Sequence, residues 1–472
     1  LSSISIQFSG DLDSSTVTTS NIFLTDSSFS NHSINLLISG NTVTINGVMN
    51  KGETYTLTIK SNVKNVSGYA MASDYTTTIP VGSSQVLNSG SPLNFSSTLN
   101  NANYNILVLY NSKLLGFWGE TPFSGTGVYN LKGKEYVSDT SFNSILDLSD
   151  SYNQILRDVI IHNSNLYLSY TYANSDFSSS TNRLMIMDSN YSQLSNSDLI
   201  KCQTSGTNAN NSSIISTGSI LYLAQIEKSC NTNDVLRVYS STDNGSTFSS
   251  IVGSNYYDKV NSVSISPGNP TLTYFNNKLI VAFTDSCKTN CSLKISYYSG
   301  SSTWSTPSTL SDTSGSFSNS TDYPYARFIQ FNNKLYITYP EYNSSTTKTK
   351  IRVKVFNGDF ASPGWSAVDN STGLNQDFNQ NAFLPYPIVF NSKLYIIWTE
   401  SASSGTLISL KEFNGDDSSP SWKSIDNGTG LNYNSGSGAF RPEIQEYNGV
   451  LYGTWMEWTG GSNPSWIYFF HL

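Results

Sequence analysis

The sequence predicts an all-β protein: a β-sandwich over residues 1–80, then a seven-bladed β-propeller of four-stranded blades over residues 81–472. Three observations carry this reading. The composition is that of half-buried strands and tight turns. One hairpin pattern recurs seven times after residue 100. The first eighty residues hold short alternating strands that stand outside the repeat.

Composition comes first because it excludes most alternatives. Of 472 residues, 37% are hydrophobic and only 12% charged, with Ser, Thr, Asn and Gly filling the deficit. The 30 Tyr and 23 Phe exclude a disordered chain. β-Branched and aromatic residues favour pleated strands, while Asn, Gly and Ser favour the turns between them. The net charge of -8 argues against a nucleic-acid partner, which needs a face rich in Lys and Arg. Lys348, Lys350, Arg352 and Lys354 alternate along one strand and are read as its solvated face. No apolar run approaches the roughly 18 residues of a membrane helix. The sequence opens on Leu1 without a signal peptide and is read as a mature or partial chain.

Four cysteines, all between Cys202 and Cys291, predict two disulfides and an oxidising compartment. The expected pairs are Cys202–Cys230 and Cys287–Cys291, with Cys230–Cys287 as the competing pairing. Asn-x-Ser/Thr triplets at Asn31, Asn65, Asn94, Asn211, Asn319, Asn343, Asn370 and Asn427 permit glycosylation.

The repeat sets the architecture. It reads NSKLLGFW from Asn111, NSNLYLSY from Asn163, GSILYLAQ from Gly218 and NNKLIVAF from Asn276. It continues as NNKLYITY from Asn332, NSKLYIIW from Asn391 and NGVLYGTW from Asn448. Its leucines are Leu114, Leu166, Leu221, Leu279, Leu335, Leu394 and Leu451, spaced 52 to 59 residues apart. Each unit predicts a hairpin whose paired Asn or Ser residues accept positive φ. A third strand follows, such as LRVYS from Leu236 or IRVKVF from Ile351. A fourth carries Phe248, Trp304, Trp365 or Trp422. Four strands in about 56 residues make one blade. Two units are near copies: FNGDFASPGWSAVDNSTGLN from Phe356 and FNGDDSSPSWKSIDNGTGLN from Phe413. The seventh unit ends after its third strand. SSQVLNSGSPLN, from Ser83 to Asn94, matches the fourth-strand segment SAVDNSTGLN from Ser366. That N-terminal segment is expected to complete the last blade and close the ring, which removes an exposed edge.

Residues 1–80 show strands at ISIQF, NIFLTD, INLLISG, TVTIN, TYTLTIK and DYTTTIPV. The segments FSGDLDSSTV from Phe8, TYTLTI from Thr54 and VKNVSGYAMASDYT from Val63 resemble the bacterial Ig-like domains of S-layer and other surface proteins. Where that family carries an Asp and a Gly-Asn pair, this chain has Asn65 and Gly68-Tyr69. The resemblance implies a spacer or display module on a secreted protein. It also implies a strand ahead of Ile4–Phe8, which this sequence does not contain. The expected fillers are a preceding segment, a neighbouring copy or a partner protein.

STDNGSTF, from Ser241 to Phe248, resembles the Asp box of sialidases and other exported propellers. Ser241, Asp243, Gly245, Thr247 and Phe248 are its matching residues. The resemblance implies a structural turn: Asp243 accepts N–H bonds, Gly245 supplies positive φ, and Phe248 packs into the blade. A sialidase also needs three arginines, a Tyr-Glu pair and an acidic proton donor. Arg157, Arg327 and Arg441 fall 8 to 10 residues before the repeat Leu, near the start of the innermost strand at the channel mouth. Phe440-Arg441-Pro442 is similar to the family's Phe-Arg-Ile-Pro motif without the Ile, and Phe383-Leu384-Pro385 is its counterpart one unit earlier.

Six residues after the repeat Leu stands an acid in six units: Glu120, Glu227, Asp285, Glu341, Glu400 and Glu457, with Tyr172 the exception. Aromatic neighbours include Trp118, Tyr339, Trp398 and Trp455. Two readings stay open: a ring of ligand-binding carboxylates with aromatic platforms, or acids that cap backbone N–H groups. His32, His162 and His471 have no ligand spacing, and neither a phosphate loop nor a nucleophile elbow is present. No metal site or cofactor is expected, and no motif supports a bound cation such as Ca. The functional expectation is an exported, extracellular or cell-surface protein, non-enzymatic, whose propeller binds a glycan or protein ligand for adhesion. The alternatives are a structural subunit of a surface layer, sheath or filament, self-assembling through the Ig-like domain, and a sialidase-like carbohydrate hydrolase.

Overall fold

The computed structural model describes residues 3–25, 30–31, 33–47, 54–80, 85–86, 92–94, 100–122, 128–148, 151–175, 179–199, 209–230, 233–251, 270–285, 292–298, 304–312, 326–343, 346–369, 372–403, 405–426, 430–433, 438–458 and 465–471. The fold is all-β. The one helical element among these residues is a 3-10 turn at Ser14–Thr16. No helix among them is long and apolar enough to cross a membrane. The chain divides into two compact units, Leu1–Gln85 with Leu472, and Val86–His471.

The first unit holds β1 (Ser3–Gln7), β2 (Ile22–Thr25), β3 (Asn35–Ser39), β4 (Thr42–Asn46), β5 (Thr54–Ile59) and β6 (Tyr75–Pro80). They form two three-stranded antiparallel sheets, ordered β1-β4-β3 and β2-β5-β6. Alternation decides which side chains go inward. Ile22 and Leu24 of β2, Val43 and Ile45 of β4, and Tyr55, Leu57 and Ile59 of β5 fill one core. Asn65 closes a turn between β5 and β6. Its Oδ1 receives the backbone N–H groups of Ser67 at 3.1 Å and Tyr69 at 2.9 Å. Gly68 between them has φ +81°. Among the described residues β1 pairs with β4 alone and is an edge strand.

The second unit is a succession of four-stranded antiparallel sheets. The first is β8 (Asn100–Tyr110), β9 (Lys113–Pro122), β10 (Asn130–Ser138) and β11 (Ser141–Asp147). The second is β12 (Asn153–His162), β13 (Asn165–Ala173), β14 (Ser180–Met187) and β15 (Gln193–Asp198). The third is β16 (Ala209–Thr217), β17 (Ile220–Cys230), β18 (Asn233–Ser241) and β19 (Ser249–Ser250). The fourth is β20 (Thr271–Phe275), β21 (Lys278–Asp285), β22 (Ser292–Tyr298) and β23 (Ser308–Thr309). The fifth is β24 (Arg327–Phe331), β25 (Lys334–Asn343), β26 (Lys348–Phe356) and β27 (Trp365–Ala367). The sixth is β28 (Ala382–Phe390), β29 (Lys393–Ala402), β30 (Gly405–Phe413) and β31 (Trp422–Ser424). The last is β32 (Gly438–Tyr447), β33 (Val450–Trp458) and β34 (Ser465–His471), with β7 (Gln85–Val86) as its fourth strand.

The hairpin between the first two strands of each sheet is set by turn chemistry. Asn276 and Asn277 stand at φ +47° and +60°, Asn332 and Asn333 at +49° and +59°. Asn111-Ser112, Asn163-Ser164, Asn391-Ser392 and Asn448-Gly449 do the same, while Gly218 serves the third sheet. Two consecutive positive φ values match the twist of the flanking strands.

Apolar clusters lie between neighbouring sheets. Leu115, Phe117 and Leu131 of the first pack with Leu166, Leu168 and Met185 of the second. Val353 of the fifth packs with Ile396, Trp398 and Phe413 of the sixth. The first and last sheets share such a cluster too: Leu107, Leu114 and Trp118 with Tyr452, Ile467 and Phe469. Each fully buried Leu or Phe contributes about 1.5–3 kcal/mol relative to exposure.

The links between sheets are tied down by a repeated Leu-Asn pair. Leu374 N–H donates to Ile351 O at 2.9 Å, and Ile351 N–H donates to Asn375 Oδ1 at 3.0 Å. Leu431 and Asn432 hold Ile408 identically, at 2.8 and 2.9 Å. Leu93 and Asn94 hold Ile467 of β34 in the same geometry, at 2.8 and 3.0 Å. The Lys411 ammonium reaches from β30 to Leu374 O at 2.6 Å, and Lys134 reaches from β10 to Leu93 O at 2.7 Å.

Candidate functional site

The described repeat acids are bonded within the fold. Glu400 accepts the backbone N–H groups of Gln376 at 2.9 Å and Asp377 at 2.7 Å, and the Trp398 indole N–H at 2.8 Å. Glu457 accepts from Tyr433 N–H at 2.6 Å and the Trp455 indole at 2.9 Å. Glu120 takes the Trp118 indole at 3.0 Å. Glu341 accepts Asp312 N–H at 2.5 Å and pairs with Arg352. Glu227 accepts the Gln225 amide at 3.0 Å and the Tyr239 hydroxyl, and lies 3.2 Å from Arg237 Nε. The side chain of Asp285 lies outside the described residues. Of the two readings open for these groups, burial favours acids that cap donors of the fold. Trp118, Trp398 and Trp455 are at most 1% exposed, so their ring faces meet side chains of the core and not a ligand.

A correction concerns the alternating cations. Arg352 and Lys354 are buried, not solvated. Arg352 bonds to Asp369 at 2.6 Å and Asp312 at 3.1 Å, and Lys354 to Leu310 O at 2.8 Å. This face of β26 looks toward a neighbouring sheet, and the buried charges survive because each is paired.

The turn from Ser241 to Phe248 closes on Asp243. Its carboxylate accepts the Thr247 N–H at 2.9 Å, the Thr247 hydroxyl at 2.6 Å and the Ser241 hydroxyl at 2.7 Å. These bonds, led by Thr247, hold its pKa down at about 2. Gly245 has φ +81°, and a Cβ there would stand 3.1 Å from Leu184 Cδ2. Phe248 packs on the cluster between the second and third sheets. Of the cysteines, Cys202, Cys287, Cys291 and the side chain of Cys230 lie outside the described residues. Among the described residues no three His, Cys, Asp or Glu side chains gather as a metal site requires.

The three arginines converge. Arg157, Arg327 and Arg441 line one pocket of about 740 Å³, measured out to its open mouth. The first strand of each of the seven sheets contributes to it. Among the lining residues are Tyr104, Arg157, Ser213, Thr271, Arg327, Tyr386 and Glu443. Bulges re-aim these strands: β8 between Asn103 and Ile106, β12 between Leu156 and Asp158, β28 between Phe383 and Tyr386, and β32 between Phe440 and Glu443. Tyr104, Leu384 and Arg441 sit within them at φ +58°, +53° and +56°. Non-glycine residues held there cost about 1–3 kcal/mol each and collect at functional sites.

Around this rim Arg441 lies 4.4 Å and Arg157 5.9 Å from the centre of the Tyr104 ring. Arg327 lies 5.6 Å from the Tyr386 ring and 3.7 Å from Glu443. Arg157 Nε is anchored on the Thr171 hydroxyl at 2.8 Å. Asp158 accepts the N–H groups of Val159 at 3.1 Å and Ile214 at 3.0 Å. Asn105 donates to Arg441 O at 2.9 Å and to Thr454 O at 3.2 Å.

Two polar atoms of this lining are buried with no hydrogen-bond partner: Asn105 Oδ1 and Glu443 Oε2. Burial pushes the Glu443 carboxyl up to about 8, with Arg327 pulling the other way. Burial likewise raises Asp158 and, with the Glu443 charge beside it, the Tyr386 hydroxyl. At neutral pH the pocket therefore carries three guanidinium charges against at most one ionised carboxylate among Asp158 and Glu443.

Sequence reasoning found the arginines but missed Tyr104, Asp158, Tyr386 and Glu443. The one signal was the Phe-x-Pro pair, Phe383-Leu384-Pro385 and Phe440-Arg441-Pro442, which marks two bulges.

A profile described as a bacterial Ig-like domain matches residues 1–83. No curated protein matches the chain. Among solved structures the chain is similar to an alpha-L-arabinanase of Penicillium chrysogenum, at 11% identity and TM-score 0.43, over 83% of this chain and 98% of that one. It is similar to a sialidase of Trypanosoma rangeli, at 11% identity and TM-score 0.49, over 70% of this chain and 59% of that one. It is also similar to the NanB sialidase of Streptococcus pneumoniae, at 12% identity and TM-score 0.42, over 92% and 84%. Identities and scores this low transfer no activity.

Proposed function

We propose that the second unit is a closed seven-bladed propeller that binds a carboxylate-bearing sugar in its central pocket, on an exported surface protein. The convergence of Arg157, Arg327 and Arg441 on one pocket carries this reading. Guanidinium forks match carboxylate geometry, and Tyr104 and Tyr386 add faces against which a sugar ring stacks. Neutral Glu443 has a proton to donate to a ligand oxygen, and Asn105 Oδ1 has room to accept one.

Closure is supported by Leu93-Asn94, which grip the last sheet as Leu374-Asn375 and Leu431-Asn432 grip theirs. The bonds of Asp243 to Ser241 and Thr247 support reading the Ser241–Phe248 turn as an Asp box of the kind found in exported propellers. The bacterial Ig-like match over residues 1–83 supports a surface location.

The test is titration calorimetry with free N-acetylneuraminic, glucuronic and galacturonic acids against the whole chain. Binding of one of them, lost in both Arg327→Ala and Arg441→Ala at unchanged melting temperature, is the expected result. Binding that survives both substitutions sinks the reading.

A second reading is favoured by one observation: Tyr386 stands beside Glu443, with Asp158 in the same pocket. In a hydrolase of the sialidase kind, the ionised form of Glu443, which prevails above about pH 8, would take the proton of Tyr386 as its oxygen attacked the anomeric carbon. Asp158 would protonate the leaving oxygen. Release of fluorophore from a 4-methylumbelliferyl glycoside of an acidic sugar, abolished in Tyr386→Phe, would establish it. A chain that binds the acid and releases nothing is a lectin.

A further inference from the structure

A second place for a ligand lies beside the central pocket, at the seam between the first and last sheets. Asn101, Asn103, Tyr129, Phe440, Met456 and Trp458 line a groove there of about 720 Å³, measured out to its open mouth. It is continuous in sequence with the pocket at two points. Asn103 lines the groove and Tyr104 the pocket; Phe440 lines the groove and Arg441 the pocket. Both junctions are bulges, in β8 and β32, so one backbone kink turns neighbouring side chains toward two different cavities. The Tyr104 and Tyr129 rings meet edge to face across this junction, 5.8 Å between centres.

The chemistry changes across that line. The pocket lining carries three arginines and two acids, whereas no charged side chain lines the groove. The groove offers aromatic surface and amides instead. Trp458 is 44% exposed, in contrast to the buried Trp455 three residues before it. It ends β33, where its ring escapes the core that holds Trp455 and Glu457. Asn101 Oδ1 already accepts Ser465 N–H at 2.8 Å and Asn103 Oδ1 accepts Tyr104 N–H at 2.8 Å, which fixes both amides at the groove wall. An exposed indole with fixed amides around it suits an uncharged pyranose, whose C–H face stacks on the ring while its hydroxyls reach the amides.

Resting on the reading of the pocket as an acidic-sugar site, we infer that the groove is a second subsite, which holds the neutral sugar joined to the acidic one, so that the protein recognises an acid-capped oligosaccharide and not a free acid. Trp458 is the residue that separates the two ligands.

The experiment is calorimetry with matched pairs: N-acetylneuraminic acid against 3′-sialyllactose, and glucuronic and galacturonic acids against their disaccharides with a neutral sugar. The whole chain should bind one oligosaccharide about tenfold more tightly than its free acid, the size of one aromatic contact. Trp458→Ala should erase that ratio and leave the free acid's affinity unchanged, and Trp458→Phe should restore part of it. A free acid that binds as tightly as its oligosaccharide overturns the subsite and spares the pocket. A loss in Trp458→Ala that is equal for both ligands also overturns the subsite. Absence of binding by every ligand overturns the pocket and the subsite together.

Discussion

Trp398 donates its indole N–H to Glu400 at 2.8 Å, two residues further along the same strand. Period-two geometry makes this possible, because residues i and i+2 share one face of a strand. Trp118–Glu120 and Trp455–Glu457 repeat the arrangement. In the sixth and last sheets the same carboxylate also takes backbone N–H groups of the incoming link, so it joins a strand to the segment from the preceding sheet.

Glu400→Gln keeps one acceptor oxygen and loses the other. Three donors, of which the Trp398 indole is buried, then compete for it, and the cost should be about 1–3 kcal/mol. Urea denaturation measures it. Acidic-sugar affinity should not change, because Glu400 does not line the pocket.

Arg352→Ala should cost more. It strands Glu341 and Asp369, both buried, as uncompensated carboxylates. Removing one partner of a buried ion pair costs about 3–5 kcal/mol. Denaturant midpoints of the two variants should rank Arg352→Ala below Glu400→Gln.

Glu443 makes stability depend on pH in a defined direction. Its folded-state value, about 8, lies above the ordinary 4.5. Between these two values the unfolded chain releases this proton while the folded chain keeps it, so stability falls as pH rises through that window. Glu443→Gln, neutral at every pH, should remove this slope: melting temperatures of the two proteins should converge near pH 4 and diverge in favour of the variant toward pH 9. In the wild type, affinity for an acidic sugar should weaken as pH passes about 8, where Glu443 becomes an anion.

Asn94→Ala should lower stability by about 1–3 kcal/mol, as Asn432→Ala should, because each leaves one buried strand N–H without an acceptor. Hydrogen exchange should quicken at Ile467 in the first variant and at Ile408 in the second. If Ile467 keeps its protection without Asn94, the link between the chain's beginning and its last sheet is not structural.

Much of this was legible in the sequence for physical reasons. Paired Asn and Ser residues announced the hairpins, since few other residues accept two positive φ values. The six strands of the first unit showed in the alternation of residues such as Val43 and Ile45. The match of Leu93-Asn94 with Leu374-Asn375 was visible because a shared hydrogen-bond task selects the same side chains. The pocket was legible only in part. Arg157, Arg327 and Arg441 keep a nearly constant distance from the repeat Leu, but a bulge adds a residue and turns a side chain by an amount no pattern encodes. The neighbourhood of Tyr386 and Glu443 depends on two such bulges at once. The burial of Arg352 and Lys354 escaped because alternating charge looks the same on a wet face and on one neutralised by a neighbouring sheet.

The Ile467–Asn94 hydrogen bond spans 373 residues. This separation has a bearing on biogenesis. A chain delivered from its N-terminal end must hold Leu93 and Asn94 in waiting until almost its last strand has emerged. The loop-closure entropy of that step is large and falls due late. The contact order it imposes makes the final locking slow. Until then Leu93 and Asn94 lack the strand they grip, so the bond that fastens the first and last segments of the second unit is among the last to form.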